Sequence, residues 1–275
     1  GGIGKMGNWR NGTGSFFTFS ALRFPPMWRA LIPLATIGIL LVNHPSDAAI
    51  DHAPWHTLLT QHVDPNGRVA YRNLQGKDAV KFEQYLTTLA QAQLDGLSET
   101  EEKAFWINAY NAVIVSGILQ GYTAENVLKR KRLFSWYSLR IAGKARTPDE
   151  IEHEILRKKF RDPRIHFAIV CASTSCPRLR AEAYVAERLD QQLDEAARQF
   201  VNDPARNRLD QQQIILSMIF KWFARDFIDY AGSVKNFLHR FVTDDKKSIV
   251  EQLNGDPYYL EYNWMLNAQD GQRIS

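Results

Sequence analysis

SETEEKAFWINAYNAVIVSGILQGY, from Ser98 to Tyr122, is the stretch on which the fold turns. Ser98 stands three residues ahead of Glu101, the spacing of a capping box, and the run that follows predicts a long helix ending near Gly121. At about 100° per residue its apolar side chains cover almost the whole circumference, which makes this helix central rather than superficial. Asn108 and Asn111, three apart, then point the same way from a buried helix. A buried amide needs partners, and these two can find them in backbone carbonyls and loop anchors or in a substrate or catalytic side chain.

The pattern on either side of this helix predicts an α+β domain, helix-rich, with a small mainly antiparallel sheet. Upstream, HVDPNGRVAYRNL places a turn at Pro65-Asn66-Gly67 ahead of a short edge strand over Arg68 to Tyr71. Downstream, Lys129 to Arg132 is a run of four cations that a solvated helix end accounts for without any anionic partner. SLRIAGKARTP reads as a hairpin turning near Gly143, and Thr147, Pro148 and Glu150 then cap the next helix. Arg164 to Cys171 reads as a strand, RLDQQQIILS as a strand pair, SMIFKWFARDFIDYAG as one helix and SVKNFLHRFV as another. No internal repeat or low-complexity linker interrupts residues 50–275, so a single globular domain is the simplest partition.

The first 49 residues read differently. Arg23 and Arg29 flank an apolar run from Ala30 to Val42, followed by small residues, so residues 27–49 have the layout of a secretory signal peptide within a leader spanning 1–49. The run is short for a bilayer span, and an uncleaved anchor is the weaker alternative. The whole chain carries a formal charge of +4, but the leader holds Lys5, Arg10, Arg23 and Arg29 against Asp47 alone, so the remainder balances at +1. That near-neutrality argues against a nucleic-acid partner and confines membrane contact to an uncleaved leader. Export, to a periplasm or outside the cell, would put the two cysteines in an oxidising compartment.

Both cysteines fall in RIHFAIVCASTSCPRLR, Arg164 to Arg180. In an unbroken strand His166 and Cys171 point to opposite faces, while Cys176 lies in a small-residue loop where direction is free. In the preceding helix, PDEIEHEILRKKF, Glu152 falls at about 100° on a wheel where Ile151, Ile155, Leu156 and Phe160 span roughly 0° to 180°. A carboxylate in the middle of an apolar stripe needs a donor such as an imidazole or a guanidinium. His153 lies at the border of that stripe. A reactive thiol needs a base and a group that fixes the base. The segment supplies Cys171 or Cys176 as thiol, His153 or His166 as base and Glu152 as the orienting acid. A zinc site on the same side chains fits the usual ligand spacings poorly, and no cofactor is indicated. A disulfide between Cys171 and Cys176, closing a small loop, is the competitor that would remove the nucleophile.

AFWINAYNAV, IEHEILR, HFAIVCASTSCPRLR, LSMIFKWFARDF and YNWMLN, in this order, resemble the motifs of the family catalogued as domain of unknown function 547, and HVDPNGRVAY resembles its opening segment. The resemblance implies a fold related to papain-like and transglutaminase-like cysteine peptidases. It would place a Cys-His-acid site acting on a peptide or small-molecule amide at Cys171, His153 or His166, and Glu152. Serine stands at the second cysteine in some members, which favours Cys171 over Cys176 as the nucleophile. The family's closing motif reads Tyr-Asp-Trp-Ser-Leu-Asn, whereas Asn263 and Met265 stand here at the Asp and Ser positions. An asparagine can orient an imidazole but cannot balance its charge, so Asn263 enters as a binding candidate beside Asn108 and Asn111. The implied function is an exported cysteine-dependent hydrolase or acyltransferase on peptide or isopeptide bonds. The alternative is a non-catalytic binding module with buried or oxidised cysteines.

Overall fold

Helix α4, Glu99–Leu119, starts and stops where its sequence says it should. The Ser98 side chain accepts from the Glu101 amide while the Glu101 carboxylate accepts from the Ser98 amide. At the other end Gly121 turns left-handed at φ 84°, its amide donates to the Ile118 carbonyl and the Tyr122 amide to that of Gly117. This is the Schellman closure for which glycine lacks the Cβ penalty. Every residue from Ala104 to Ile118 is buried. The helix is a central rod of the domain.

The computed structural model describes residues 50–211 and 213–273. The leader expected over 1–49 lies outside them, and no helix of the described residues is long and apolar enough to cross a membrane. Before α4 come α1 (Ala53–His62), α2 (Tyr71–Gly76) and α3 (Ala79–Gln91). After it come α5 (Val127–Lys131), a π-helical turn over Arg132–Trp136 and the hairpin β1 (Leu139–Ile141) and β2 (Lys144–Arg146). Beyond a π-helix, Glu150–Phe160, and a 3₁₀ turn, Pro163–Phe167, lie α6 (Leu189–Asn202), β3 (Arg208–Leu209), β4 (Ile214–Leu216), α7 (Met218–Trp222), α8 (Ala224–Ala231), α9 (Val234–Phe241), α10 (Asp244–Glu251) and β5 (Tyr258–Tyr259). The second sheet runs β3-β4-β5, antiparallel then parallel. The architecture is helix-rich α+β.

Several elements depart from their sequence pattern. The strand expected over Arg164 to Cys171 does not form. Asp162 accepts from the Arg164 amide, Pro163 opens a 3₁₀ turn, and Ile165 to Val170 are buried on all sides rather than alternately. An apolar run this short cannot distinguish a strand from any other fully buried segment. The opposite-face argument for His166 and Cys171 falls with the strand. The edge strand over Arg68 to Tyr71 shrinks to bridges at Val69, which pairs with Val63 and Ala268, before α2 begins. Its turn is as expected: Gly67 has φ 74°, and an added Cβ would sit 2.6 Å from Arg178 Cβ. The helix expected through 217–232 breaks at Phe223 into α7 and α8.

Two apolar clusters form the core. One surrounds α4; the other gathers Phe167, Phe200, Phe220, Phe227 and Phe237. Ile165 and Ala168 belong to the first and Phe167 to the second, so the segment leading to Cys171 is wedged between them.

Candidate functional site

Asn111 sets the path of that segment. Its amide donates to the Ala168 carbonyl at 3.0 Å and its carbonyl accepts from the Val170 amide at 3.0 Å. A carboxamide carries one donor face and one acceptor face, so it replaces the neighbouring strand that this stretch of chain lacks. Asn108 does the same for Tyr184, at 2.7 and 3.0 Å. Both amides are therefore occupied by backbone, as structural anchors, and neither lines the cavity described below.

One residue beyond the Asn111 clamp stands Cys171, half-buried. Ala172 after it takes a left-handed φ of 56° and turns the chain into the loop ending at Cys176. The stretch Tyr262–Asn267 braces this loop from outside. Thr174 and Ser175 donate their amides to the Met265 and Asn263 carbonyls, and Asn267 donates to the Ala172 carbonyl. Asn263 acts in that brace, its side chain accepting from the Met265 amide, and it approaches no imidazole. The amides of Thr174, Ser175 and Cys176 are thus spent. Only the earlier amides of the loop remain for an oxyanion.

The sulfur of Cys171 lies 3.0 Å from Ser173 Oγ and 3.3 Å from the Tyr262 hydroxyl, and its amide donates to Cys176 Sγ. Burial pushes this thiol up, but hydrogen bonds from Cys176, Ser173 and Tyr262 outweigh it and bring it down to about 7. Burial and the neighbouring sulfur push Cys176 well up, so it stays a thiol and a donor. No disulfide joins Cys171 and Cys176 in the structure. Of the two, Cys171 has the nucleophile's electrostatics.

His166, from the 3₁₀ turn, is buried flat against Phe223, ring centroids 3.9 Å apart. Its Nε2 lies 2.8 Å from an Asp226 carboxylate oxygen. Arg157 holds the same carboxylate through two guanidinium bonds of 2.7 and 2.9 Å. Burial raises the Asp226 carboxyl, yet His166 and Arg157 outweigh it and hold it well below the usual range. Burial lowers the imidazole despite the Asp226 charge, so His166 is neutral at neutral pH. With an ionised acceptor at Nε2, that nitrogen carries the proton and Nδ1 keeps the lone pair. Nδ1 is buried with no hydrogen-bond partner, 3.9 Å from Glu152 Oε1.

Glu152 projects from the π-helix, where bonds run between residues five apart and bring Ile151 and Leu156, both fully buried, onto one face. Its side chain is 12 % exposed and accepts from the Tyr110 hydroxyl at 3.3 Å. Burial, against the opposing Arg157 charge and Tyr110 bond, pushes its carboxyl up to about 7. Glu152 therefore finds the donor its position demanded, but Asp226 rather than Glu152 orients the imidazole. His153 is half-buried and its Nδ1 meets the Arg157 guanidinium at 3.0 Å. Burial and that cation lower it.

Glu152, His153, His166, Cys171 and Cys176 line one cavity of about 160 Å³, walled on its other sides by aromatic residues including Trp222, Phe223, Tyr262 and Trp264. The structure thus gathers the five candidates from the 152–176 region and leaves Asn108, Asn111 and Asn263 outside. No imidazole hydrogen-bonds to either sulfur among the described residues, and none of their His, Cys, Asp and Glu side chains form a group of three or more suited to a metal ion. Asp226 and Tyr262 are the functional candidates that the motifs did not single out. On the wheel of α8, Asp226 falls about 100° from Phe227, at the polar edge beside Asp229, so no apolar-stripe signal like that of Glu152 marks it.

No curated protein and no solved structure matches the chain. Residues 94–201, which carry α4, Glu152, His166 and both cysteines, match the model of the family described as protein of unknown function, DUF547, and so support the resemblance that the motifs suggested.

Proposed function

We propose that the protein is a cysteine-dependent hydrolase or acyltransferase acting on amide bonds of a peptide or isopeptide. Cys171 is the nucleophile, His166 the base and Asp226 the residue that orients it. The observation that carries this reading is the unpartnered, buried Nδ1 of His166, in the same cavity as a thiol brought down to about 7. A buried lone pair without a partner is costly, and sites of chemistry are where such costs are retained.

In the proposed sequence Nδ1 accepts the thiol proton as Cys171 Sγ attacks the carbonyl carbon. The C–N bond breaks as that proton passes to the leaving amine, and a water deprotonated at the same nitrogen then cleaves the thioester. Asp226 stabilises the imidazolium between those steps. Glu152, titrating near 7, lines the cavity and faces the same nitrogen. The cavity has room for about five waters, enough for an amide and its immediate substituents. Cys171 rests on Ser173 and Tyr262 in this structure, and catalytic hydrogen bonds often close only with substrate bound. A cysteine-peptidase-like relationship and an exported setting belong to the same proposal. The first is supported by this thiol-imidazole-carboxylate set and the second by the pattern of residues 27–49.

The test is turnover of a panel of fluorogenic peptide amides and thioesters, with iodoacetamide labelling read by mass spectrometry. Cys171→Ala should lose both turnover and labelling at residue 171, and His166→Gln should lose turnover, each with an unchanged circular dichroism spectrum. Undiminished turnover by Cys171→Ala would overturn the proposal. Absence of turnover together with an oxidised Cys171-Cys176 pair would support the binding module instead.

A further inference from the structure

The run of cations at Lys129 to Arg132 is not explained by the candidate cleft. In the structure these residues form α5 and the π-helical turn after it, with Asn126 as the N-cap. A solvated helix end should show polar side chains outward. Here Val127 is 74 % exposed, Leu128 53 % and Trp136 57 %, among the largest apolar exposures of the described residues. Leu133 is the segment's buried anchor, packed so close to α4 that a Cβ on Gly117 would lie 2.6 Å from it. From Glu125 to Trp136 there are four cations against one acid, and Glu125 is already paired with Lys129. The Lys131 ammonium lies 5.5 Å over the Trp136 ring, so charge and apolar surface are interleaved rather than separated.

We infer that the segment Glu125–Trp136 docks the protein on an anionic lipid surface, a membrane contact outside the leader that the +1 balance of residues 50–275 conceals because the cations are clustered. Lysine and arginine beside exposed aliphatic side chains and a tryptophan are what an interfacial segment needs: cations for the headgroup phosphates, apolar groups for the acyl boundary and an indole between. Charge complementarity selects the occupant. A second copy would set a like-charged face against this one, and a neutral apolar partner would leave the cations unused. Flexible cations matched to a fluid headgroup layer require no fixed register, and none of Val127, Leu128 or Trp136 belongs to the candidate cleft that would seat a peptide. Arg130, stacked at 4.2 Å on Trp264, connects this surface to the rim of the cleft. The inference is independent of the catalytic proposal.

Lysine acetylation footprinting of the full chain reads the segment locally, whatever the leader does. With phosphatidylglycerol-containing vesicles, Lys129 and Lys131 should be protected while Lys246 and Lys247 remain reactive. Three uncompensated cations should make the affinity at this segment about a hundredfold higher than for pure phosphatidylcholine vesicles. Half-molar sodium chloride should reverse the protection. The surface variant V127S/L128S/W136S, checked for an unchanged melting temperature, should lose it at equal lipid. Unprotected Lys129 and Lys131, equal protection of Lys246 and Lys247, or protection by polyglutamate but not by vesicles would overturn the inference.

Discussion

Replacing Tyr262 by phenylalanine removes one hydroxyl from Cys171 Sγ and leaves the ring, tilted against Trp264 with centroids 4.5 Å apart, to keep the wall of the cavity. The thiol is held at about 7 against an ordinary 9.0, a net preference for thiolate of about 2.7 kcal/mol after burial has opposed it. Hydrogen bonds to a charged group are each worth about 1.5–3 kcal/mol, and the Tyr262 contact at 3.3 Å belongs at the weak end. Its loss should move the midpoint up by about one pH unit, which lowers the thiolate fraction at pH 6 about tenfold. At pH 7 the native thiol should be about half ionised where an ordinary one is about 1 % ionised. The lower basicity weakens each thiolate, so the net gain in alkylation rate is about fivefold. The assay is the pseudo-first-order rate of iodoacetamide modification at Cys171 between pH 5 and 10, followed by mass spectrometry. Native protein should show a midpoint near 7, and Tyr262→Phe should shift it upward and raise the plateau about threefold, because the more basic thiolate is the stronger nucleophile. A native midpoint near 9, or a midpoint indifferent to Tyr262→Phe in a folded protein, would refute the assignment of donors around this sulfur.

Asp226→Asn should leave His166 without an ionised partner and lower turnover by about 10²–10⁴-fold, as for other imidazoles deprived of their orienting carboxylate. The native Asp226 carboxyl is held below its unfolded value, so its contribution to stability is present above about pH 4 and disappears as the pH falls through the folded value. Melting temperatures between pH 2 and 7 should therefore vary less in the variant. Glu152 has the opposite sign. Raised to about 7, it binds a proton more tightly when folded, so stability falls by up to about 3 kcal/mol as the pH rises from about 4.5 through 7. Glu152→Gln should flatten that slope in denaturant titrations at pH 5 and 8, and an unchanged slope would mean that the carboxyl is not buried as described. Asn111→Leu should strand the Ala168 carbonyl and the Val170 amide and cost about 2–5 kcal/mol by urea unfolding. A loss under about 0.5 kcal/mol would show that the amide is not the clamp.

The features legible in the chain are those set within a turn or two of their own residues. The capping box at Ser98 and Glu101, the glycine stop at Gly121 and the hairpin at Gly143 needed only local backbone and cap chemistry. The second box, where Thr147 and Glu150 exchange bonds at 2.9 and 3.2 Å, was equally local. Burial of α4 followed from its composition, and the need of Glu152 for a donor from its place among apolar neighbours. Tertiary structure decided the rest. Residues 164–171 have no partner strand, so two cores and the Asn111 amide, 59 residues from Val170, dictate their course. The 60-residue reach from His166 to Asp226 and the 91-residue reach from Cys171 to Tyr262 leave no periodic trace, because neither pair belongs to one element. Caps and periodicity are short-range and repeat from protein to protein. The site is assembled from single contacts between distant segments, each specified only once the packing around it exists.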